Sequence, residues 1–427
     1  MPEIDSAELK RWRFLKAMVF KSLRGVEDLL PPESEKFEKV VKTFKEAVEK
    51  AGFREVILPI FEEAGLFARS VGETTDIVQK EMYVFEDKGG RQVALRPEGT
   101  ASAVRAYIQH GIYAKEPFTK WFYVGPMFRF ERPQAGRRRQ FFQAGCEVFG
   151  LSQPGADAEV IGVAASILES LSVEFNLEVN SIGCEKCRPR YREALLEFLK
   201  LRVEELCPDC KGRLERNPLR VLDCKVETCK EVVSEAPVIT DYLCDECRVH
   251  FQKVKEYLSL LGVGFKVNPH LVRGLDYYTR TVFEFKSEKL GAQSTVLAGG
   301  RYDRLVSQLG GPETPALGFA MGIDRVMLLL PQVEEERKGV FVVTAGEEAY
   351  RKGLEIIDFL RSKGIKAQID HRQGSFKSQM KAADRVRAKF VVIIGEEELK
   401  GDFLSLKDLD TGKQEKISGL EELLARL

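Results

Sequence analysis

The sequence predicts an α+β fold: a mainly antiparallel sheet with helices packed on it, a helical cysteine-rich insertion, and a small α/β domain at the end. Three observations predict it. Strand-like runs at 82–86, 92–95, 121–130, 140–149, 176–181, 281–286 and 294–298 follow one another, many without an intervening helix, which argues against a doubly wound parallel sheet. Eight of the nine cysteines fall within 184–262, where the texture turns helical. Residues 339–427 alternate strand and helix, the pattern of a three-layer α/β unit.

The first seventeen residues read as a charged, partly helical extension, and Met18 stands just before Phe20-Lys21-Ser22-Leu23-Arg24-Gly25. Either the chain starts at the second methionine or the extension is real. Over 34–51, Phe37, Val40, Val41, Phe44, Val48 and Ala51 repeat at the spacing of one helical face. Gly52 is placed to stop that helix, and 53–58 read as a strand halted by Pro59. The main domain is expected in two parts, 18–183 and 263–330, around the insertion at 184–262. The charged run Glu334 to Lys338 marks a linker over 331–338. Beyond it, strands are expected at 340–343, 365–369 and 390–394, with helices at 349–362 and 375–386.

Composition sets the class. Hydrophobic residues are 44% and charged residues 31%, as in a soluble globular protein, and the abundance of Glu, Lys and Arg suits a heat-adapted source. Apolar runs such as 390–395 are far shorter than the ~20 residues of a membrane span. Glu3, Asp5, Glu8, Lys10 and Arg11 interrupt any signal-peptide core, so a cytoplasmic protein with no membrane partner is expected. Formal net charge is zero, so any nucleic-acid role must rest on local clusters. The densest cluster is Arg137, Arg138 and Arg139, which reads as a solvated loop or as an RNA contact.

Familiar nucleotide loops are missing: there is no Gly-x4-Gly-Lys-Ser/Thr, and Gly262-Val263-Gly264 lacks the third glycine of a dinucleotide fingerprint. A bound nucleotide would have to be held by side chains and metal. Four segments supply suitable groups. Leu95 to Thr100 turns from strand to helix and puts a carboxylate, Glu98, and a hydroxyl at a sheet edge; alone it reads equally as a capped helix start. A long hairpin runs from Phe122 to Gly150. Period two places Arg129 and Glu131 on one face of its first strand, and Gln143, Gly145 and Glu147 on one face of its second. Aromatic residues between them favour a lined pocket over a solvated face. Leu271 to Thr279 packs Arg273, Asp276, Tyr277 and Tyr278 together, able to clamp phosphate and hydrogen-bond a polar ligand. Ala316 to Val326 opens a helix after glycines, with Arg325 in its first turns.

These segments in this order resemble the class II aminoacyl-tRNA synthetases. The helix and strand ending at Pro59 look like motif 1, Gly125-Pro126-Met127-Phe128-Arg129-Phe130-Glu131-Arg132-Pro133 like motif 2, and Gly318 to Arg325 like motif 3. Leu271 to Tyr278, with Gly299-Gly300-Arg301-Tyr302-Asp303, is similar to signatures of the histidyl-tRNA synthetases, and the match runs from about Ser22 to the C-terminus. The resemblance implies an antiparallel class II catalytic domain, an insertion, an anticodon-binding domain at 339–427 and a homodimer built around motif 1. It implies ATP-dependent activation of histidine to histidyl-adenylate and transfer to the 3′-terminal adenosine of tRNA(His). Arg129 would hold the ATP α-phosphate and the amino-acid carboxylate, Arg325 the γ-phosphate, and Arg273 the α-phosphate in the transition state. Glu98, Thr100 and Gln143 would take the substrate ammonium. Glu147 and Tyr278 would pair with the imidazole nitrogens, beside Tyr277. Mg2+ would accompany ATP, with no protein ligand identified. The loop 134–139 would contact the acceptor end of tRNA, and Lys377 and Lys381, with Arg385, the anticodon stem unless they form a merely solvated helix face. A pocket that pairs with a polar side chain rejects unpaired analogues by roughly 10⁴–10⁵, so no editing domain is needed.

The cysteines stand apart from this. Cys184/Cys187, Cys207/Cys210 and Cys244/Cys247 are C-x2-C knuckles, and Cys224/Cys229 form a fourth pair. In a cytosolic protein they read as up to two Zn2+ sites, with reduced thiols or, in a hyperthermophile, disulfides as alternatives. A helix over 191–206 would hold its ends roughly 24 Å apart. One knuckle therefore has a distant partner, and Cys207/Cys210 with Cys244/Cys247 is the pairing expected. The main rival function is a catalytically silent paralogue serving as regulatory subunit of ATP phosphoribosyltransferase in histidine biosynthesis. Such paralogues generally lack the last domain and have altered signature residues, whereas this chain keeps both. An RNA-binding module without catalysis would have lost Arg129, Arg273 or Arg325.

Overall fold

The computed structural model describes residues 20–72, 75–331 and 336–427. The extension at 1–17, Met18 and residues 332–335, with Glu334 and Glu335 of the charged linker run, lie outside the described residues. Two compact units divide at Pro331.

The first unit is built on strands β1 (Arg54–Glu55), β2 (Phe61–Glu63), β3 (Val84–Glu86), β4 (Gln92–Leu95), β5 (Thr119–Phe128), β6 (Gln140–Phe149), β7 (Asn176–Ser181), β8 (Lys266–Val267), β9 (Thr279–Lys286), β10 (Thr295–Arg301) and β11 (Ala316–Gly322). Eight of them form one sheet in the order β1-β5-β6-β11-β10-β9-β7-β8, and β2-β4-β3 form a small second sheet. All pairings are antiparallel except β1 with β5 and β7 with β8 at the two edges. The mainly antiparallel α+β architecture expected from the sequence is therefore present.

Helix Glu33–Lys50 covers one face of the large sheet, with Val40, Phe44 and Val48 fully buried on it. Glu33 and Glu35 in its first turn and Lys50 in its last complement the helix dipole. Its stop is a Schellman motif: the N–H of Phe53 donates to Val48 O at 3.0 Å and that of Gly52 to Glu49 O at 2.9 Å, with Gly52 at φ +82°. The long helix Pro154–Ser170 packs beside it against the same core.

Two expectations need correction. The first strand of the long hairpin ends at Phe128, so Arg129 and Glu131 lie beyond it, in the loop, and strand alternation does not set their direction. The second concerns Ala316 to Gly322, a stretch absent from the strands expected of the main sheet. It is β11, a central strand between β6 and β10. Glycine is depleted in strands, which hides it, but here the glycine allows close approach. Gly318 is paired with Glu147, and a Cβ on Gly318 would collide with the Glu147 carboxylate and the Cys146 carbonyl.

The cysteine module contains helices Arg188–Leu201, Pro208–Arg216, Glu227–Ser234 and Asp245–Leu260 around its own core. Helix Asp245–Leu260 belongs to two cores: Cys247 lies in the module, while Phe251, Val254 and Leu258 join the main one. All nine cysteines are free thiols. They gather in two groups, Cys184/Cys187/Cys244/Cys247 and Cys207/Cys210/Cys224/Cys229. The expected pairing of Cys207/Cys210 with Cys244/Cys247 is thus wrong, although the first knuckle does have a distant partner. The helix Arg188–Leu201 carries the chain away from Cys187, and the turns at 218–223 bring it back beside Cys207, closing the second group locally.

In the second unit, Val340–Thr344, Ala367–Ile369, Phe390–Ile394, Leu404–Asp408 and Gln414–Ile417 are β12 to β16, in the order β13-β12-β14-β15-β16. Val340 and Val342 face a core shared with helix Glu347–Ser362, while Phe341 and Val343 face one shared with helix Phe376–Arg385. Three layers follow from that alternation. The antiparallel pair β15–β16 adds an edge that the sequence reading did not include.

Candidate active site

A cleft opens on the face of the large sheet opposite the helix Glu33–Lys50. Eight of the nine side chains expected to handle substrate line it: Glu98, Thr100, Arg129, Gln143, Arg273, Tyr277, Tyr278 and Arg325. The ninth, Glu147, lies behind the lining at 1% exposure.

The elements explain the convergence. β4 ends at Leu95 and the chain turns into helix Thr100–Gln109, whose first N–H groups are free to be capped. Glu98 caps it, accepting from Thr100 N at 2.7 Å and Ala101 N at 2.8 Å. The cap is buried rather than exposed, and burial raises the Glu98 pKa against the pull of those N–H groups. Thr100 Oγ1 donates to Glu147 Oε1 at 2.7 Å, Tyr123 to the same oxygen at 3.1 Å, and Tyr302 to Oε2. Burial, reinforced by Glu98, pushes the Glu147 carboxyl up to about 8 against those three hydroxyls. Glycines make room: a Cβ on Gly99 or Gly145 would strike the Tyr123 ring. Gln143 reaches the cleft from β6, and its buried Oε1 has no partner in the protein. Tyr277 and Tyr278 stack obliquely with centroids 4.7 Å apart, and Tyr302 meets Tyr277 edge-on at 5.6 Å.

The other end is cationic. Arg129 donates from Nε to Pro97 O at 2.9 Å and lies over the Phe141 ring at 5.3 Å. Arg325 donates to Gly136 O at 3.0 Å and Thr295 O at 2.7 Å, while Arg273 pairs with Glu284 and leaves its buried Nε without a partner. Burial lowers the pKa of Arg325, and the charges of Arg129, Arg137 and Arg273 lower it further. Four guanidinium groups therefore crowd one space.

The expected RNA-binding loop is more tightly tied than its sequence suggests. Arg137 pairs with Glu131 and lines the cleft, Arg138 pairs with Glu27 at 2.6 Å and Asp324 at 2.9 Å, and Arg139 lies over the Phe130 ring at 4.0 Å. Tyr123 and Glu284 were assigned no role from the sequence, although period two puts Tyr123 on the same strand face as Arg129. Tyr302 was quoted within a motif without a role.

With that geometry in hand, comparison with known proteins decides the family. The family model "Histidyl-tRNA synthetase" matches residues 25–326. The chain belongs to that family. The histidine–tRNA ligase of Aquifex aeolicus (strain VF5) is 54% identical over 407 residues, covering 95% of this chain and 100% of the relative. That of Caldanaerobacter subterraneus subsp. tengcongensis is 49% identical, covering 94% and 97%. The crystal structure of apo Staphylococcus aureus histidyl-tRNA synthetase superposes with a TM-score of 0.79 at 37% identity, covering 96% of this chain and 99% of that one.

A second family model, "Anticodon binding domain", matches residues 339–427. In this part of the histidyl-tRNA synthetase family member, Lys377, Lys381 and Arg385 repeat at four-residue spacing along the exposed side of helix Phe376–Arg385. Gln379, on its buried side, holds the helix to β12 through Thr344 N at 3.0 Å and Thr344 O at 2.8 Å. Among the described residues no helix is long and apolar enough to cross a membrane.

Proposed function

We propose that this chain activates histidine with ATP and transfers it to the 3′-terminal adenosine of tRNA(His), by the following division of labour. The observation that carries the reading is the bipolar cleft. One end crowds Arg129, Arg137, Arg273 and Arg325, whose mutual repulsion a triphosphate would relieve. The other end offers Glu98, Tyr277, Tyr278 and the orphan acceptor of Gln143, suited to an ammonium and a polar ring.

Arg129, at the junction, holds the α-phosphate and the histidine carboxylate together. The carboxylate oxygen attacks the α-phosphorus, and pyrophosphate leaves as histidyl-adenylate forms. Arg273 faces the charge that builds on the α-phosphoryl oxygens, acting as a fixed cation. Arg325 takes the γ-phosphate. Glu98, Thr100 and Gln143 receive the ammonium. Tyr278 bonds the imidazole, while Glu147, behind the lining, sets the orientation of Thr100 and Tyr302 and reaches the imidazole only through that network. In the second step a ribose hydroxyl of the tRNA attacks the adenylate carbonyl and AMP leaves.

Magnesium, carried with ATP as is general in the family, neutralises phosphate charge when bound. Glu131 and Asp324 supply hard oxygen donors in the cleft lining and would hold it once released from Arg137 and Arg138. The two four-thiol groups suit zinc, away from the reacting atoms.

For tRNA, Arg137, Arg138 and Arg139 would exchange their present partners for phosphates at the acceptor end, and Lys377 and Lys381 would face the anticodon stem. A homodimer is supported by the exposed apolar group Ile57, Ile60 and Phe61 next to motif 1, with Ile57 91% exposed. A protein with this task works in the cytoplasm, where reduced thiols persist. Retention of Arg129, Arg273 and Arg325 favours the ligase over the regulatory paralogue.

The test is ATP–pyrophosphate exchange with each of the twenty amino acids in turn. Exchange with histidine alone is expected. No exchange with any amino acid, from folded protein supplied with magnesium, would move the assignment to the regulatory paralogue.

A further inference from the structure

The cysteine module touches the histidine end of the cleft from outside, at two points. Cys187 directly precedes helix Arg188–Leu201, and the Arg188 guanidinium donates to the Tyr278 carbonyl. Cys210 and Cys224 bracket the turn at 217–220. From it Asn217 Nδ2 donates to Asp276 Oδ1 at 3.2 Å and Arg220 Nη2 to the same oxygen at 3.0 Å. The segment 273–278 is therefore gripped at Asp276 by one cysteine group's frame and at Tyr278 by the other's.

Tyr277 and Tyr278 pack in an apolar core, whereas the polar end of the segment, at Asp276, is met by the module's side chains. A cavity lies beneath the segment, lined by Arg188, Tyr191, Asn217, Arg220, Arg273 and Leu275 among others. Across that cavity the bonds to Asp276 and to the Tyr278 carbonyl tie the segment to the module, and their geometry depends on where the two turns are held.

What holds the turns is the arrangement of sulfurs. All four Sγ atoms in each group lie within 4.8 Å of one another. The separations Cys184–Cys187, Cys184–Cys244 and Cys207–Cys224 are 3.7, 3.8 and 3.8 Å. A tetrahedral ion with Zn–S of ~2.3 Å has sulfur–sulfur edges of ~3.8 Å, far longer than the ~2.05 Å of a disulfide. Backbone N–H groups aim at sulfur in both groups, Cys244 N at Cys187 Sγ and Cys207 N at Cys229 Sγ, each at 3.2 Å, as suits thiolate ligands. Cys187, Cys207 and Cys244 each occupy the N-cap position of a helix, which fixes three of the sulfurs to rigid elements.

We infer that each four-cysteine group binds one zinc ion and that the two ions together position segment 273–278, so that metal occupancy sets the affinity for histidine. This rests on the reading of the cleft as the histidine site. Arg188, Asn217 and Arg220 are positioning residues, acting through Asp276 and Tyr278.

The experiment begins with metal content of natively purified protein by elemental analysis, and with thiolate-to-metal charge-transfer absorption after cobalt substitution. Two zinc ions per chain and a tetrahedral cobalt–thiolate spectrum are expected. Histidine KM and ATP KM are then measured by pyrophosphate exchange for native protein, for Arg220→Ala and for protein stripped with a chelator. Arg220→Ala keeps both metals and cuts one link, so it bypasses the risk that a Cys→Ser variant fails to fold. It is expected to retain two zinc ions, raise the histidine KM about tenfold and leave the ATP KM within about twofold, the scale of losing one hydrogen bond to a charged group. Two zinc ions with an unchanged histidine KM in both Arg220→Ala and stripped protein would overturn the coupling while leaving the metal sites. No zinc and no cobalt–thiolate band would overturn the metal sites themselves. Failure of native zinc-loaded protein to exchange with histidine would instead remove the histidine reading on which the inference rests.

Discussion

Thr100 donates its hydroxyl to Glu147 at 2.7 Å, while Tyr302 grips the other oxygen of the same carboxyl group. Glu147 is thereby engaged with protein hydroxyls, buried beneath the cleft, with its pKa raised to about 8. Because the folded protein holds this proton more tightly than the unfolded chain, stability from Glu147 is fully present below the ordinary carboxyl range, near 4.5, and is lost as pH rises toward 8. The full effect is on the order of 5 kcal/mol. Glu147→Gln removes this dependence. The melting temperature of the variant is expected to gain on the native protein between pH 5.5 and pH 9, and a difference constant over that range would show that Glu147 does not titrate there.

The four crowded guanidiniums make a second prediction. Two of them, Arg129 and Arg273, are expected to act on the α-phosphate in a site shielded from water, where one lost donor costs about 10²–10³ in rate. Arg129→Ala and Arg273→Ala are each expected to lower histidine-dependent pyrophosphate exchange by that factor. Arg129→Lys should not recover it, since a single ammonium cannot replace a planar fork reaching two anions. Modest losses from both alanine variants would remove these roles.

Much of this site was legible in the sequence because its residues sit in short, chemically dense segments. Glu98, Arg129, Arg273, Tyr277, Tyr278 and Arg325 each stand where a strand meets a helix or loop, and turn chemistry marks such junctions. What escaped was determined across strands. Nothing in the order of residues says that Gly318 lies opposite Glu147, or that Tyr123 crosses the sheet over Gly145, because both relations are set by register. The cysteine pairing failed for a related reason. Helix length told which knuckles could not meet, but the return path through 218–223 is a short 3₁₀ stretch without a periodic signature.

Gln143 offers a cleaner test of substrate contact than the arginines do. Its Oε1 is buried and unpartnered, a state that costs free energy until a donor arrives. Gln143→Leu keeps the size and removes the acceptor. A hydrogen bond to a charged partner contributes about 1.5–3 kcal/mol, so the histidine KM is expected to rise roughly 10- to 100-fold. The ATP KM should stay within about twofold. Equal changes in both constants would place Gln143 at the nucleotide instead.

The motif Gly299 to Asp303 divides its work where β10 ends, at Arg301. Tyr302 turns to the cleft, whereas Arg301, at 1% exposure, turns inward to Asp157 at 2.6 Å and to the carbonyls of Leu151 and Gln153. Burial opposes ionisation of Asp157, but Arg301 and His250 outweigh it and hold the pKa below the ordinary carboxyl value. Asp157→Ala would leave the Arg301 charge uncompensated in the core, at a cost of about 3–5 kcal/mol. Urea unfolding should show that loss, whereas Tyr302→Phe, which leaves one buried oxygen of Glu147 without its donor, should cost less, about 1–3 kcal/mol, and raise the histidine KM. If instead Asp157→Ala unfolds like the native protein, the pair does not support the sheet.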